Sequence, residues 1–178
     1  FLAQIISQLL INKKCEVTCI DRNKYKKRFF NENIFFTTLE EDLKESSFDY
    51  VFEACGANNI LGKCIKYGKP EAKIIQLANP SKDMNINANE ISAFMRKEQL
   101  LIGTWNSEYR PDDHSKCDWR QTINLLENDS ISVKNLISHK VELSKAIDLF
   151  NKIYSRRSNP EGILGFNKAI LEITPEKK

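Results

Sequence analysis

Residues 1–21 read FLAQIISQLLINKKCEVTCID, and this stretch sets the order of elements for the rest of the chain. Its apolar residues recur at the i, i+3, i+4, i+7, i+8 spacing of a helix that packs one face on a core; they are Leu2, Ile5, Ile6, Leu9 and Leu10. Residues 16–21 then change to a short run typical of a buried strand. The stretch therefore predicts a helix followed by a strand that ends in the carboxylate of Asp21.

The same alternation of strand and helix continues along the chain. Predicted strands cover residues 34–36, 48–56, 73–78 and 100–103, and predicted helices cover residues 23–31, 58–67, 89–98 and 119–128. Two of the strands, 48–56 and 73–78, are nearly continuous apolar runs, which is typical of parallel strands buried on both faces. A short strand end at 137–139, a long helix at 144–156 and a strand at 168–173 complete the order. The sequence predicts an α/β fold with a mostly parallel sheet.

Ligands of such sheets bind beyond the carboxyl ends of the strands, which here are Asp21, Gly56, Asn79 and residues 103–106. A helix, a strand and then an acidic residue form the second half of a dinucleotide-binding βαβ unit, whose carboxylate accepts the ribose hydroxyls of an adenosine. Asp21 could equally cap the helix that follows it. Arg22 could accommodate a 2′-phosphate instead, although Asp21 favours NAD over NADP.

Small residues end the strand at Ala54-Cys55-Gly56, where backbone could approach a flat ring closely. A plain strand-to-helix turn that needs glycine is the alternative. Glu53 is interpreted as a structural carboxylate rather than a catalytic base. His114 is predicted to be a solvated residue of a polar loop, and His139, at a strand end, is predicted to be structural. The sequence predicts no metal site.

Composition excludes several classes of protein. The chain is 41% apolar with a net charge of +3 and interspersed signs, so no basic face for nucleic acid is expected. No apolar run reaches the roughly 20 residues that cross a bilayer, so no membrane partner is expected. The five scattered cysteines indicate reduced thiols in a cytoplasmic protein, with Cys15 and Cys19 buried and unligated.

A set of ordered motifs carries a family resemblance: residues 1–21, 48–56, 75–80, 96–107, 118–119, 136–140 and 168–171. Together they resemble the zinc-dependent medium-chain alcohol and polyol dehydrogenases. Gly103-Thr104-Trp105-Asn106-Ser107 followed by Asp118-Trp119 is most similar to the galactitol-1-phosphate and sorbitol dehydrogenase branch. The resemblance implies a Rossmann-type sheet that lacks its first strand and glycine-rich turn. Residues 1–135 would be a truncated dinucleotide-binding domain, and residues 136–178 the C-terminal segment of the catalytic domain.

The resemblance also implies a set of cofactor-binding residues. Asp21 and Arg22 would bind the adenosine ribose, and Lys168 would lie near the cofactor phosphates. The adenosine pocket would be lined through the backbone of Ala54, Cys55 and Gly56. The nicotinamide end would be held by Leu77, Ala78, Asn79, Gly103, Thr104 and Trp105. The family's catalytic zinc would take its ligands from outside this chain, so no catalytic residue or metal ligand is assigned here.

The complete protein is accordingly expected to oxidise a secondary alcohol of a polyol or polyol phosphate by zinc-assisted hydride transfer to NAD. Family habit implies a homo-oligomer. The chain alone is expected to be an inactive fragment of low stability, because a missing central strand leaves two strand edges unpaired. Two alternatives remain open. One is a non-catalytic dinucleotide-binding module, and the other is a class I S-adenosylmethionine-dependent methyltransferase, which also carries a Phe-Asp-x-Val strand.

Overall fold

Strands and helices alternate along the chain in a computed structural model that describes residues 1–155 and 165–173. The helices are α1 (Leu2–Asn12), α2 (Ile60–Tyr67), α3 (Ala88–Arg96), α4 (Asp118–Glu127) and α5 (Ala146–Ser155). The strands are β1 (Thr18–Ile20), β2 (Phe35–Thr37), β3 (Phe48–Glu53), β4 (Gly68–Gln76), β5 (Leu100–Gly103), β6 (His139–Glu142) and β7 (Ala169–Glu172). Short 3-10 turns cover Lys24–Phe29, Glu40–Asp42, Lys134–Leu136 and Leu143–Lys145.

Every strand pairing in the described residues is parallel: β1 with β2, β3 with β4 and β4 with β5, and β6 with β7. The predicted α/β fold with a mostly parallel sheet is therefore confirmed. Most predicted elements lie within a few residues of the observed ones. The segment predicted as a helix over 23–31 is the 3-10 turn Lys24–Phe29, and residue 156 of the predicted last helix lies outside the described residues.

The chain divides into two compact units: the first is Leu39–Thr122, and the second is Phe1–Thr38 together with Ile123–Lys178. The core of the Leu39–Thr122 unit is formed where α2 packs on the β3–β4–β5 sheet. Its buried residues are Leu61, Cys64, Ile65 and Ile74, with Val51, Ile60, Met84, Ile86, Ala93 and Phe94 packed against them. Each large apolar side chain buried in this way stabilises the unit by about 1.5–3 kcal/mol.

Two predictions about strand burial are wrong. Strand β3 is not buried on both faces, because the side chain of Tyr50 is 54% exposed while Val51 packs in the core. Phe48 and Phe52, which share a face of the strand with Tyr50, are half-buried, so that face is only partly covered. The prediction that Cys15 is buried is also wrong, because Cys15 precedes β1 and is exposed, whereas Cys19 within β1 is half-buried.

The buried face of α1 also differs from the expected apolar stripe. Gln4 and Ser7 are the buried residues of this helix, and Leu2 is exposed. Hydrogen bonds satisfy part of this buried polarity: Asn167 Nδ2 donates to Gln4 Oε1 over 2.7 Å and to the carbonyl of Leu136 over 2.9 Å. The α1 face in this unit is therefore fixed by a polar contact that helical periodicity does not reveal.

The C-terminal end of α2 is capped by two side chains from beyond α3. Lys97 Nζ donates to the carbonyls of Ile65, Lys66 and Gly68 over 2.9–3.0 Å, and Gln99 Nε2 donates to those of Ile65, Gly68 and Lys69 over 2.9–3.1 Å. The last carbonyls of a helix have no partners within it and attract positive charge. These contacts fix the start of β4, which follows α2 directly.

Candidate functional site

The three strands of the Leu39–Thr122 unit end at the same level. Glu53 at the end of β3 is paired in register with Gln76 of β4, and Gln76 is paired with Gly103 of β5. Because the strands are parallel, three loops leave the sheet from one edge. We call them the strand-end loops: residues 54–57, 77–81 and 104–106. They and Gly103 bring together all the predicted site residues of this unit.

Glu53 is the centre of the hydrogen bonds at this edge, and its side chain is buried with 1% exposure. Its Oε1 accepts from the backbone N–H groups of Cys55 and Gly56 over 2.7 and 2.8 Å. Its Oε2 accepts from Gln76 Nε2. The backbone carbonyl of Glu53 accepts from Leu77 and Ala78 over 2.9 and 3.2 Å. One residue therefore contacts both the first and the second strand-end loop.

Gly56 turns the first loop with a φ of +66°, in the left-handed region. A Cβ atom here would overlap the backbone carbonyl oxygen of Asn79. The carbonyl of Gly56 in turn accepts from both the N–H and the Oγ of Ser81, each over 3.1 Å. Glycine is thus required at residue 56 by a close approach of the second loop. The predicted approach of a flat ring to this turn stays a prediction.

The third loop is the open part of the edge. Thr104 N donates to the carbonyl of Gln76 over 3.3 Å, which ties the loop to the end of β4. A Cβ atom added at Gly103 would meet nothing within 4 Å. Trp105 is 79% exposed, and Asn79 across the edge is also exposed. The edge therefore offers backbone groups and an aromatic surface beside open space.

The predicted adenosine-binding residues Asp21 and Arg22 follow β1 in the other unit. Asp21 Oδ1 accepts from the N–H of Asn23 over 2.9 Å, and Oδ2 lies 3.7 Å from Lys26 Nζ. The carboxylate thus stabilises the turn after β1. Its side chain still exposes 30% of its area. Arg22 is exposed beside it.

Lys168 precedes β7 in the same unit as Asp21 and is exposed. Its ammonium lies 5.0 Å from the centre of the Phe1 ring, within the range of a cation–π interaction. Its carbonyl accepts from the N–H groups of Ser138 and His139 over 2.9 and 3.2 Å. A role for this residue near cofactor phosphates stays a prediction.

The structure also shows the surroundings of one histidine and three cysteines. His139 Nδ1 lies 2.9 Å from Ser138 Oγ, and its ring centre is 5.6 Å from that of Phe166. Burial raises the pKa of the Cys19 and Cys64 thiols to about 12, whereas backbone N–H groups of Arg120 and Arg110 lower the pKa of Cys117. Within residues 1–155 and 165–173, no three His, Cys, Asp or Glu side chains are grouped to hold a metal ion. Nor is any helix of this part long and apolar enough to cross a membrane.

Sequence reasoning found the strand ends but missed the role of Gln76 between them. The signal available was a polar side chain directly after the apolar pair Ile74-Ile75 near the end of the strand. Its partner, Glu53, lies 23 residues away, so only the pairing register brings the two together.

No family model matches the chain. Curated proteins are similar to part of it. The chain is 27% identical over 130 residues to sorbitol dehydrogenase 1 of Saccharomyces cerevisiae, which covers 68% of this chain and 34% of that protein. It is 27% identical over 95 residues to the zinc-type alcohol dehydrogenase-like protein YdjL of Escherichia coli, over 53% of this chain and 24% of that one. The chain thus spans about a third or less of the length of these relatives.

Solved structures give the same picture for the fold. The galactitol-1-phosphate dehydrogenase of Escherichia coli matches with a TM-score of 0.71 and 18% identity, over 88% of this chain and 48% of that one. A putative zinc-binding dehydrogenase of Sinorhizobium meliloti, bound to NADP, matches with a TM-score of 0.70 and 17% identity, over 94% of this chain and 48% of that one. An alcohol dehydrogenase (rspB) of Escherichia coli, complexed with NADH, matches with a TM-score of 0.63 and 15% identity, over 84% of this chain and 44% of that one.

The parallel sheet with its loops at the carboxyl edge is therefore a Rossmann-type dehydrogenase fold, of which the chain covers under half of each matched structure. The sequence matches confirm the resemblance drawn from the ordered motifs. The chain is a relative of the zinc-type alcohol and polyol dehydrogenases.

Proposed function

We propose that this chain supplies nicotinamide-dinucleotide-binding residues to an oxidoreductase that acts on the secondary alcohol of a polyol or polyol phosphate. The observation that carries the proposal is the common level of Glu53, Gln76 and Gly103, which sends three loops from one edge of a parallel sheet. Ligands of open α/β sheets bind beyond this edge. The names of the relatives, which include sorbitol dehydrogenase, support the class of reaction and substrate.

The nicotinamide end of the cofactor is assigned to the second and third strand-end loops. Backbone groups of Leu77, Ala78 and Asn79 would bind and orient the carboxamide, and Gly103 leaves room for a ring because its Cβ position is open. The adjoining loop residues Thr104 and Trp105 would exclude water from one side. When bound, the dinucleotide supplies a ring carbon that accepts or donates a hydride.

The adenosine end is assigned by residue type and exposure. In the Leu39–Thr122 unit, taken by itself, Ala54, Cys55 and Gly56 would contact the adenosine through their backbone. In the other unit, the exposed part of the Asp21 carboxylate would accept the ribose hydroxyls, with Arg22 beside it, and Lys168 would contribute a positive charge toward the phosphates. Each carboxylate oxygen accepts about two hydrogen bonds, so the bond from Asn23 leaves capacity on Asp21.

Use of NADP is the second candidate, and a particular contact favours it. Lys26 lies 3.7 Å from the Asp21 carboxylate and Arg22 follows Asp21 directly. Two cations beside the ribose position would attract a 2′-phosphate. The Asp21 carboxylate repels the same phosphate, so we propose NAD as the main cofactor and NADP as the alternative.

The described residues do not fit a zinc site, because no three suitable side chains are grouped among them. We therefore derive no step of the reaction from zinc through this part of the chain. Zinc-assisted hydride transfer in the complete protein would need ligands beyond the residues described here.

The test is an assay of the complete gene product for reduction of NAD and NADP with sorbitol and with galactitol 1-phosphate. We expect reduced nucleotide to accumulate with at least one polyol and with NAD in preference to NADP. Binding of NADH without turnover of any polyol would favour a non-catalytic dinucleotide-binding module. Binding of S-adenosylmethionine and not of NADH would favour a methyltransferase and contradict the proposal.

A further inference from the structure

The buried carboxylate of Glu53 lies at the carboxyl edge of the β3–β4–β5 sheet. Three N–H donors converge on Glu53: the backbone groups of Cys55 and Gly56 on Oε1, and Gln76 Nε2 on Oε2. Within the described residues, Glu53 forms no ion pair. A buried charge is costly unless it is hydrogen-bonded, and bonds to a charged acceptor are the stronger ones. The three donors therefore stabilise a carboxylate at this point.

The amide of Gln76 can adopt only one orientation here. Its Nε2 lies between two acceptors, Glu53 Oε2 and the carbonyl of Ala78, the latter at 2.8 Å. A flipped amide would place an oxygen against both. In this orientation Gln76 Oε1 is buried and has no hydrogen-bond partner among the described residues. An unsatisfied buried acceptor destabilises a fold, so the two bonds donated by Nε2 outweigh the cost of leaving Oε1 unpaired.

The result is a chain of contacts that joins two strand-end loops. Glu53 fixes the first loop at Cys55 and Gly56, and through Gln76 it fixes the second loop at Ala78. The two loops also touch where Gly56 meets the backbone of Asn79. Because the loops meet so closely, the position of one depends on the position of the other.

We propose that Glu53 and Gln76 form a positioning pair that holds residues 77–79 in the place where they bind the nicotinamide end of the cofactor. This proposal rests on the proposed function and extends it. The two side chains would position the loop, and neither itself touches the cofactor. Glu53 sets the first loop directly. Gln76 transmits its position to the second loop through the carbonyl of Ala78.

An amide cannot replace the carboxylate at residue 53 without loss of contacts. A glutamine at residue 53 has one acceptor and one donor end. Whichever way it turns, its amino group would face either the Cys55 and Gly56 N–H groups or Gln76 Nε2. Glu53→Gln therefore breaks contacts to at least one loop. Gln76→Met keeps the length of the side chain and leaves the Glu53 contacts with Cys55 and Gly56 in place. It removes the side-chain bond to the carbonyl of Ala78, while the backbone bonds from Leu77 and Ala78 to the Glu53 carbonyl remain.

The test compares two probes on the complete gene product: NADH, which has the nicotinamide, and ADP-ribose, which lacks it. For Gln76→Met we expect NADH to bind about tenfold more weakly, the effect of one lost hydrogen bond, with ADP-ribose changed less than about twofold. For Glu53→Gln we expect both probes to bind more weakly. Glu98→Gln, an exposed carboxylate in the same unit, is the matched control and should bind both like the unchanged protein.

The outcomes separate the two proposals. If the unchanged protein binds neither probe, the proposed function fails and the positioning pair fails with it. If the unchanged protein binds NADH and Gln76→Met binds both probes normally, or loses both equally, only the positioning pair is overturned. Thermal midpoints are measured for each variant. Should Glu53→Gln fail to fold, the ratio of the two affinities in Gln76→Met decides the question by itself.

Discussion

The α-carbon of Gly56 faces the backbone carbonyl of Asn79 with no room for a side chain between them. This contact joins the turn after β3 to the turn after β4 at the edge of the sheet. The two turns carry predicted cofactor-binding residues, and the contact limits how far one can move relative to the other. Several consequences of this arrangement, and of the packing beneath it, can be measured.

Replacement of Gly56 by alanine should destabilise the protein. The left-handed φ of +66° costs a non-glycine residue about 1–2 kcal/mol, and the overlap with Asn79 adds to this. We expect a loss of roughly 2–4 kcal/mol in the free energy of unfolding, measured with urea. Gly103→Ala is the matched control, because its Cβ meets nothing within 4 Å. Equal stability of the two variants would show that the contact is absent in solution.

Loss of the Lys97 ammonium should weaken the end of α2. Burial lowers the pKa of Lys97, and its Nζ donates to three carbonyls. Lys97→Met keeps the aliphatic stem, so the expected loss of about 1–3 kcal/mol in unfolding free energy reports the cap. Lys82→Met, at an exposed lysine of the same unit, should change stability by less than about 0.5 kcal/mol. A loss of the same size in both variants would contradict the capping role.

Alkaline pH should destabilise the protein through Cys64. Burial raises the pKa of this thiol from 9.0 to about 12. Between these values the unfolded chain releases the proton and the folded chain keeps it, so stability is retained below pH 9 and falls as pH rises toward 12. At pH 10.5 the thiol should account for a loss of about 2 kcal/mol relative to pH 8.

Cys64→Ala removes this contribution, so its stability should fall less between pH 8 and pH 10.5 than that of the unchanged protein. Titration of lysines and tyrosines affects both proteins alike, and the exposed Cys15 provides the control in Cys15→Ala. The measurement is urea unfolding at the two pH values. Parallel pH dependence in all three proteins would mean that Cys64 ionises as readily in the fold as outside it.

Removal of the Lys26 side chain should shift the preference between the two cofactors, if Asp21 holds the ribose as proposed. The Lys26 ammonium lies 3.7 Å from Asp21 Oδ2 and offsets its charge. In Lys26→Ala we expect the ratio of NADPH to NADH dissociation constants to rise about two- to fivefold, the range for one surface charge contact of up to about 1 kcal/mol. The exposed Lys27 supplies the control variant, Lys27→Ala, whose ratio should stay near that of the unchanged protein.

The sequence predicted the order of elements because that order depends on local patterns. Apolar runs, the breaks at Gly68 and Pro70, and the residues that follow each strand can all be read within about ten positions. The strand ends were found for the same reason, and with them the residues of the strand-end loops. Parallel pairing then follows from the alternation of strands with helices.

Features that depend on distant pairs could not be predicted. Gln76 opposes Glu53 only through the register of two strands. The buried Gln4 accepts a hydrogen bond from Asn167, which lies 163 residues away. Exposure of Tyr50 reflects which face the helices cover, which an apolar run does not specify. In each case a tertiary contact outweighed the local pattern.

The central claim is that the carboxyl edge of the β3–β4–β5 sheet binds a nicotinamide dinucleotide. The most direct test is titration of the complete gene product with NADH in unchanged form, as Gly103→Val and as Ser107→Val. A Cβ atom at residue 103 meets nothing within 4 Å, so the claim predicts a thermal midpoint close to that of the unchanged protein and an NADH affinity at least about tenfold lower, from overlap with the ligand. Ser107→Val, just beyond the strand-end loops, should bind NADH normally. Equal affinity in all three proteins, or no binding of NADH by the unchanged protein, would contradict the claim.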